Sequence, residues 1–305
     1  MDAIKKKMLE AVADLHDIPT GAYNIRANGK SEARNTTKNI DIVTKEDKNG
    51  IDIIIASGTK NESVHIPVII SESGIKENVY NDFYIGEDCD VLIIAGCGIH
   101  NCGDQTSQHD GIHTFHIGKN SKVRYVEKHY GDGDGNGQRV MNPTTVIEID
   151  ENGSLEMDTV QIKGIDSTNR ITTARLKAGA CVIIKEKLMT HGNQVATTEF
   201  TVDLDGEDSS ANVISRSVAK DSSKQVFTSR INGNTRCYSH TECDAIIMDN
   251  AQVSAIPEVT ANHIDASLIH EAAIGKIAGE QLMKLMTLGL SEQEAEEQIV
   301  NGFLK

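Results

Sequence analysis

The segment Ile85-Gly-Glu-Asp-Cys-Asp-Val91 places a small polar turn between two aliphatic residues, and this unit recurs along the chain. The similar units are Ile117–Val123, Ile149–Leu155, Leu176–Val182, Leu204–Val213 and Ile247–Val253. Their first residues are 32, 32, 27, 28 and 43 residues apart. A recurring unit of this length is typical of a solenoid.

Between residues 84 and 272 the chain has almost no helical periodicity, and short β-rich runs alternate with the polar turns. Strands without intervening helices favour a parallel β-helix, in which each coil stacks about 4.8 Å above the last. The alternative is a β-sandwich with similar turns, but the spacing of the units does not resemble hairpins. The 4% aromatic content agrees with a core of small and β-branched residues.

Both ends of the chain are predicted to be helical. Apolar residues with helical spacing predict a helix over residues 3–16. A second amphipathic stretch from Ile274 ends at Gly289, and Ser291 with Glu294 forms the capping box of a last helix. We therefore divide the chain into an N-terminal helix with short strands (1–83), a β-helix core (84–272) and a C-terminal helical segment (273–305).

The chain of 305 residues has a net charge of −15. Nucleic-acid binding needs a basic surface, and the run Lys5–Lys7 is better explained as the solvated face of the first helix. We expect no nucleic-acid partner and no binding to an anionic membrane. The longest apolar runs, such as Val91–Ala95, are far shorter than the ~20 residues that span a bilayer. No signal peptide precedes the first helix, so the expected location is the cytoplasm.

The six cysteines include no C-x-x-C pair, and a reducing cytoplasm argues against disulfides. The sequence also lacks the P-loop, G-x-S-x-G and H-E-x-x-H motifs. Nucleotide chemistry is therefore expected in another protein. The acidic tract Gly131–Gly137 begins like an EF-hand loop, but its twelfth position is Pro143 instead of Glu. We interpret this tract as an acidic turn.

One short stretch is rich in soft and borderline metal ligands. These residues are Cys97, His100, Cys102, His109, His113 and His116. Their spacings match no standard zinc site. A functional cluster and ordinary solvated side chains are both open interpretations of this stretch.

A second group of candidate ligands lies near the C-terminus. Cys243 and His270 are 27 residues apart, about one repeat, so a solenoid would place them on adjacent coils. Thiolate, imidazole and the carboxylate of Glu271 together suit iron, alone or in a cluster. The alternative is a buried structural cysteine beside a histidine–glutamate pair that caps the next helix.

At these residues the sequence resembles the SufB/SufD family of iron–sulfur cluster assembly scaffolds. Thr241-Glu-Cys-Asp resembles the T-Q-C-D element of the family, and Leu268-Ile-His-Glu-Ala272 resembles its L-E-H-E-A element. The terminus from Ile277 to Leu304, and the stretch with Gly96-Cys97, His113 and Val123-Arg-Tyr125, are also similar. The resemblance covers about residues 84–305. The short chain is most similar to the compact, single-scaffold (SmsB-like) form.

The resemblance implies a right-handed parallel β-helix with helical ends. It implies a scaffold, not an enzyme, on which a transient [2Fe–2S] or [4Fe–4S] cluster is built at the interface of a homodimer. The implied partners are a SufC-like ABC-type ATPase docked on the C-terminal helices, a cysteine desulfurase or other sulfur donor, and apo iron–sulfur proteins. Reduced flavin is the candidate reductant.

The resemblance also assigns site residues. Cys243, His270 and Glu271 match the proposed metal ligands, and Cys97 matches the sulfur acceptor. From its position alone, Cys102, five residues further on, is the alternative acceptor. Because Gly96 and Gly98 flank Cys97, we expect this thiol in an exposed turn. Ala95 and Ile269 replace glutamates of the family pattern.

Two other classes of function stay open at this point. A β-helix enzyme that acts on carbohydrate or transfers acyl groups would need a row of carboxylates or histidines in a long groove. A purely structural adaptor for the ATPase would bind no metal. Anaerobic reconstitution with iron and sulfide distinguishes a scaffold from both.

Overall fold

The computed structural model describes residues 3–13, 15 and 19–305. Its strands form two sheets that face each other. The first sheet contains, in spatial order, β2 (Lys30–Asn35), β1 (Ala22–Ala27), β5 (Lys60–Ile70), β7 (Asp90–His100), β9 (Lys122–Asp132), β12 (Ser154–Lys163), β14 (Cys181–Thr190), β16 (Ser210–Ala219), β18 (Cys237–Ile247) and β20 (Ala266–Gly275).

The second sheet contains β19 (Gln252–Ala261), β17 (Lys224–Gly233), β15 (Val195–Leu204), β13 (Ser167–Leu176), β10 (Arg139–Met141) with β11 (Thr144–Ile149), β8 (Ser107–Ile117), β6 (Lys76–Ile85), β4 (Gly50–Ile55) and β3 (Ile40–Thr44). The helices are α1 (Ala3–Ala13), α2 (Gly279–Thr287) and α3 (Glu292–Phe303). Residues 14 and 16 of the predicted helix 3–16 lie outside the described residues.

From β4 onward the chain alternates between the two sheets, and strands on successive coils pair in parallel. The result is a β-helix of about eight turns with one helix at the N-terminus and two at the C-terminus. The mainly β fold and the helical ends are therefore confirmed. The predicted start of the second helix is wrong, because Ile274 still belongs to β20 and α2 begins at Gly279. None of the helices among the described residues has both the length and the apolar character that crossing a membrane requires.

The polar turns of the repeated unit are short because one residue in each adopts a left-handed backbone. Asp88, Asn120 and Asn152 have φ angles of 55°, 56° and 57°, a conformation that Asn and Asp tolerate better than most residues. Their side chains also form a ladder, in which Asn120 Nδ2 donates to Asp88 Oδ1 at 3.2 Å. The recurrence of Asp and Asn in the sequence therefore reflects one stacked corner of the β-helix.

The unit that begins at Ile247 belongs to the other corner, so its assignment to the same series is wrong. Ile247 ends a strand of the first sheet, whereas the earlier units follow strands of the second sheet. The turn that continues the series follows Gly233, which lies 29 residues after Leu204. The gap of 43 residues is thus one coil plus a crossing to the opposite sheet.

The N-terminal end of the β-helix is closed by antiparallel hairpins, since β1 pairs with β2 and β3 pairs with β4 in that sense. The strands β1, β4 and β5 continue the same two sheets. The predicted division of the chain stays a prediction, and both sheets run across its boundary between residues 83 and 84.

The C-terminal end is open in the single chain. Among the described residues, no strand pairs with the outer edge of β19 or β20. Ile256, Val259 and Ile269 of these strands are exposed. Helix α3 lies beside the β-helix and not over this end, since Val300 and Leu304 pack against Val218.

Candidate functional site

A row of buried polar side chains runs through the interior of the β-helix. Strand pairing places them side by side on five successive coils of the first sheet. The row consists of Glu127, Thr159, Glu186, Ser215 and Cys243. Polar groups buried in this way require partners. The row is therefore a specific polar feature of the interior, and Cys243 lies at its C-terminal end.

The two carboxylates of the row share one counter-charge, Arg170 of β13 on the opposite sheet. Arg170 Nη1 donates to Glu127 Oε2 at 2.6 Å, and Arg170 Nε lies 3.8 Å from Glu186 Oε1. Burial alone would raise the pKa of Glu127, but Arg170 and His129 hold it well below its usual range. Glu127 is therefore ionised at neutral pH, and the interior contains a permanent positive charge beside it.

Glu186 connects this ion pair to the C-terminal part of the row. Its two carboxylate oxygens accept hydrogen bonds from Thr198 Oγ1 at 2.9 Å and Ser215 Oγ at 2.7 Å. Ser215 in turn lies directly opposite Cys243 on the next coil. A polar connection thus leads from Arg170 to the neighbour of Cys243.

The Cys243 side chain is only 1% exposed. Burial, and then the carboxylates of Glu186 and Asp244, raise the pKa of the Cys243 thiol to about 12. The thiol therefore keeps its proton in the metal-free chain. Binding of a metal ion would have to displace this proton, since the thiolate is the ligand.

His270 and Glu271 lie on β20, the coil next to Cys243, as their spacing predicted. Thr241 is opposite His270, Glu242 is opposite Glu271 and Ala272 is opposite Cys243. Because side chains alternate along a strand, His270 faces the same side as Cys243, whereas Glu271 faces outward. The Glu271 side chain is 67% exposed, with its carboxylate 3.6 Å from His240 Nε2.

The three predicted ligands are therefore neighbours in the fold but do not converge on one point within the described part of a single chain. No group of three or more His, Cys, Asp or Glu residues there is arranged to hold a metal ion. Both ring nitrogens of His270 are nevertheless buried without a hydrogen-bond partner. Such orphaned nitrogens are costly unless something else binds them.

Cys97 is not in an exposed turn, so that expectation is wrong. It lies within β7, faces the interior and is 3% exposed. The flanking glycines, which lack side chains, allow α1 to pack closely against β7. A Cβ atom on Gly96 would lie 2.3 Å from the Val12 carbonyl oxygen, and one on Gly98 would lie 2.8 Å from Met8 Sδ.

The environment of Cys97 is apolar on one side and polar on the other. It shares a small internal cavity with His109, His113, Glu127 and His129. Burial, and then the carboxylates of Glu77 and Glu127, raise the pKa of the Cys97 thiol well above its usual range. Cys97 therefore opens onto the N-terminal end of the polar row, about 24 Å from Cys243, since five coils separate their strands at about 4.8 Å each.

The other members of the cysteine–histidine stretch are divided between the two faces. His109 and His113 are buried, and His113 Nδ1 lies 2.8 Å from the Tyr125 hydroxyl. His116 is on the outer face, stacked on Tyr84. The residues of this stretch do not form one metal site, and the residues that sequence reasoning missed are Arg170, Glu127 and Glu186.

Comparison with known proteins agrees with this architecture. The family model for the SufBD core domain of the SUF system of FeS cluster assembly matches residues 81–303. The chain is 32% identical over 256 residues to an iron–sulfur cluster assembly SufBD family protein of Methanocaldococcus jannaschii, covering 83% of this chain and 79% of the relative.

Two further relatives carry the same description. A protein of Archaeoglobus fulgidus is 31% identical over 265 residues, covering 85% of this chain and 69% of the relative. A protein of Pyrococcus horikoshii is 27% identical over 279 residues, covering 88% of this chain and 82% of the relative. The matched family region includes the polar row and the open C-terminal coil. The chain therefore belongs to the SufBD family of iron–sulfur cluster assembly proteins.

Proposed function

We propose that this chain is a scaffold subunit on which a nascent iron–sulfur cluster is assembled. Membership of the SufBD family gives the general role in cluster assembly. The observation that carries the finer proposal is the position of Cys243, a buried thiol at the end of a polar row and one coil from an open edge. In this proposal Cys243 supplies the thiolate, and His270 and Glu271 supply harder, more labile ligands.

Two copies of the chain complete the site. One chain does not bring three ligands together, and its last coil leaves the edges of β19 and β20 unpaired among the described strands. Exposed sheet edges are suited to pairing with another strand. A two-fold pairing brings both copies of one surface to the same axis, so the second Cys243 and its neighbours supply the missing ligands.

Glu271 joins the cluster by reorientation at this interface. Its carboxylate is two-thirds exposed and lies on the edge strand β20. A side chain with this exposure has little packing to lose when it turns. A carboxylate ligand that turns in this way can also turn away, so the finished cluster can leave the scaffold.

Cys97 is the proposed internal sulfur acceptor, and the polar row supports a route from it to Cys243. Arg170, between Glu127 and Glu186, places N–H donors beside this route. The small and hydroxyl side chains of Thr159 and Ser215 leave polar surface between the two thiols. A desulfurase or another sulfur donor supplies the sulfur in this account, and reduced flavin is the candidate source of electrons.

The C-terminal helices are the proposed docking surface for a SufC-like ABC ATPase. Met283, Met286 and Leu288 are exposed on and just after α2, which buries none of its residues. Exposed apolar helical surface is suited to the groove of a partner. ATP hydrolysis is thereby assigned to the partner, and apo iron–sulfur proteins receive the finished cluster.

Anaerobic reconstitution with ferrous iron and sulfide tests the proposal. We expect visible charge-transfer absorption, a Mössbauer signature of a cluster, and about one cluster per dimer. A protein that stays colourless, binds no iron and remains correctly folded by circular dichroism would support the metal-free adaptor instead.

A further inference from the structure

Cys102, His100 and Asp132 form a hydrogen-bonded chain at the rim of the β-helix. Cys102 Sγ lies 3.0 Å from His100 Nε2, and His100 Nδ1 lies 2.5 Å from Asp132 Oδ1. The outer oxygen of Asp132 accepts a hydrogen bond from Lys7 Nζ of α1 at 2.6 Å. Cys102 is exposed, whereas His100 and Asp132 are partly buried. A thiol, an imidazole and a carboxylate in this order constitute an activated nucleophile.

The loop that carries Cys102 is rigidly held. The neighbouring Asn101 is fully buried, and its Nδ2 donates to the carbonyl oxygens of Gln105 at 2.8 Å and Gly137 at 3.1 Å. The acidic tract stacks directly on this loop, since a Cβ atom on Gly135 would lie 2.5 Å from the Cys102 carbonyl carbon. The glycines of the tract therefore fix the thiol beside His100.

The acidic tract also supplies a second carboxylate next to the thiol. A hydrogen bond from Cys102 lowers the pKa of Asp134. Burial raises the pKa of Asp132, but hydrogen bonds from Lys7 and His100 outweigh it and lower that pKa. Both carboxylates are therefore ionised at neutral pH, and Asp132 fixes the orientation of the His100 ring by its hydrogen bond to Nδ1.

His100 and Asp132 of the triad lie on the same pair of neighbouring strands as Cys97, β7 and β9. His100 is opposite Asp132 and Cys97 is opposite His129 in the same pair of strands. Three residues of an extended strand span about 10 Å. His100 thus lies about 10 Å along β7 from Cys97, at the end of the strand where the loop with Cys102 begins.

We propose that Cys102 is the thiol that first takes sulfane sulfur from an external persulfide, with His100 as its base and Asp132 as the positioning residue. This inference rests on the proposed function and adds the point at which sulfur arrives. Cys97 faces the interior of the β-helix and is out of reach of a bulky donor. Cys102 is reachable and activated, so it precedes Cys97 in the transfer.

The step balances without an added oxidant. His100 Nε2 takes the proton of Cys102, and the thiolate attacks the outer sulfur of a donor R–S–SH. A new S–S bond forms on Cys102 while the S–S bond of the donor breaks. The leaving thiolate R–S⁻ receives the proton from His100, so the products are the Cys102 persulfide and the thiol R–SH.

The reactivity of the thiol tests the triad. We expect iodoacetamide to alkylate Cys102 at pH 7 about tenfold or more faster in the parent than in His100→Gly, because a positioned base contributes about 10²–10⁴-fold. Added imidazole should restore much of the lost rate, which a purely structural role of His100 would not allow. Asp132→Asn should also slow alkylation, and Asp132→Glu should retain most of it. Equal rates in the parent and in His100→Gly would overturn the proposal.

Sulfur transfer tests the order of the two thiols. After treatment with glutathione persulfide, mass spectrometry of the parent should find one added sulfur on Cys102 before any on Cys97. Cys102→Ser should leave Cys97 unmodified, whereas Cys181→Ser, a change at a partly exposed thiol on β14, should have no effect. Modification of Cys97 at the parental rate in Cys102→Ser would contradict the proposal.

Reconstitution with free sulfide separates this inference from the proposed function. Cys102→Ser should still assemble a cluster when iron and inorganic sulfide are supplied, because sulfur acceptance is then bypassed. If the parent itself forms no cluster under these conditions, the proposed function fails. If the parent does form a cluster, but glutathione persulfide still adds sulfur to Cys97 of Cys102→Ser at the parental rate, the inference about Cys102 fails and the proposed function stands.

Discussion

Arg170 and Glu127 form a buried ion pair across the interior of the β-helix, with Nη1 and Oε2 2.6 Å apart. Each residue comes from a different sheet. The pair therefore joins the two walls of the β-helix at the N-terminal end of the polar row, beside the cavity that contains Cys97.

Arg170→Met should strongly destabilise the protein. The substitution leaves Glu127 and Glu186 buried without a counter-charge, and breaking a buried pair typically costs about 3–5 kcal/mol. We expect urea unfolding at pH 7 to show this loss. The double variant Arg170→Met with Glu127→Gln should recover a measurable part of it. A single variant as stable as the parent would contradict the assigned charges.

The stability of the protein should fall as the pH is lowered from about 6.5 to about 4, in part because of His113. Burial lowers the pKa of His113 to about 4. The unfolded chain therefore takes up a proton in this interval, whereas the folded chain does not, and stability present above pH 6.5 is lost on acidification. The expected contribution is about 3 kcal/mol, at about 1.4 kcal/mol per pH unit.

Urea unfolding of His113→Gln and of the parent at pH 7 and at pH 4.5 measures this contribution. The variant should have the shallower pH dependence. His116→Gln is the matched control, because His116 is on the outer face and stacks on Tyr84. Identical pH dependence in the parent and in His113→Gln would show that His113 is not held neutral by burial.

Gly96→Ala should displace α1 and destabilise the protein. The new Cβ atom would meet the Val12 carbonyl oxygen at 2.3 Å and the Lys128 carbonyl oxygen at 2.9 Å. Both are backbone atoms that cannot move aside alone, and overpacking of this kind costs about 1–3 kcal/mol. We expect urea unfolding at pH 7 to show this loss. Gly279→Ala is the control, since nothing lies within 4 Å of its added atom.

The architecture could be predicted from the sequence because its determinants are local. Asp88 and Asn120 mark the turns by their tolerance of a left-handed backbone, and Ser291 with Glu294 forms the capping box that was predicted. Ile247 was misassigned because the turns at the two corners have the same composition. Only the sheet to which each strand belongs distinguishes them.

The site could be predicted in part. The spacing of Cys243 and His270 indicated adjacent coils, since one repeat separates them. The inward direction of Arg170 could not be predicted, because the strand Ser167–Leu176 carries polar residues on both faces. The glycines around Cys97 predict a turn in the sequence. In the structure they allow α1 to pack closely on β7, and this contact depends on residues more than 80 positions away in the chain.

Ile256→Asp should weaken self-association. Ile256 is exposed on the edge strand β19 at the open end, and a two-fold interface would bring two new carboxylates close together. Analytical ultracentrifugation should show a dimer for the parent and a shift to monomer for the variant. Tyr84→Glu, a change at an exposed residue on the outer face away from this end, should remain dimeric. A dimer of unchanged affinity in Ile256→Asp would place the interface elsewhere.

The cluster absorbance of Cys243→Ala is the most direct test of the central claim, that Cys243 is the thiolate ligand of the nascent cluster. After anaerobic reconstitution with iron and sulfide, we expect this variant to lack the visible absorption and the Mössbauer signature of the parent. Cys237→Ala, a change at a buried cysteine of the same strand, should retain both. An unchanged spectrum in Cys243→Ala would contradict the account.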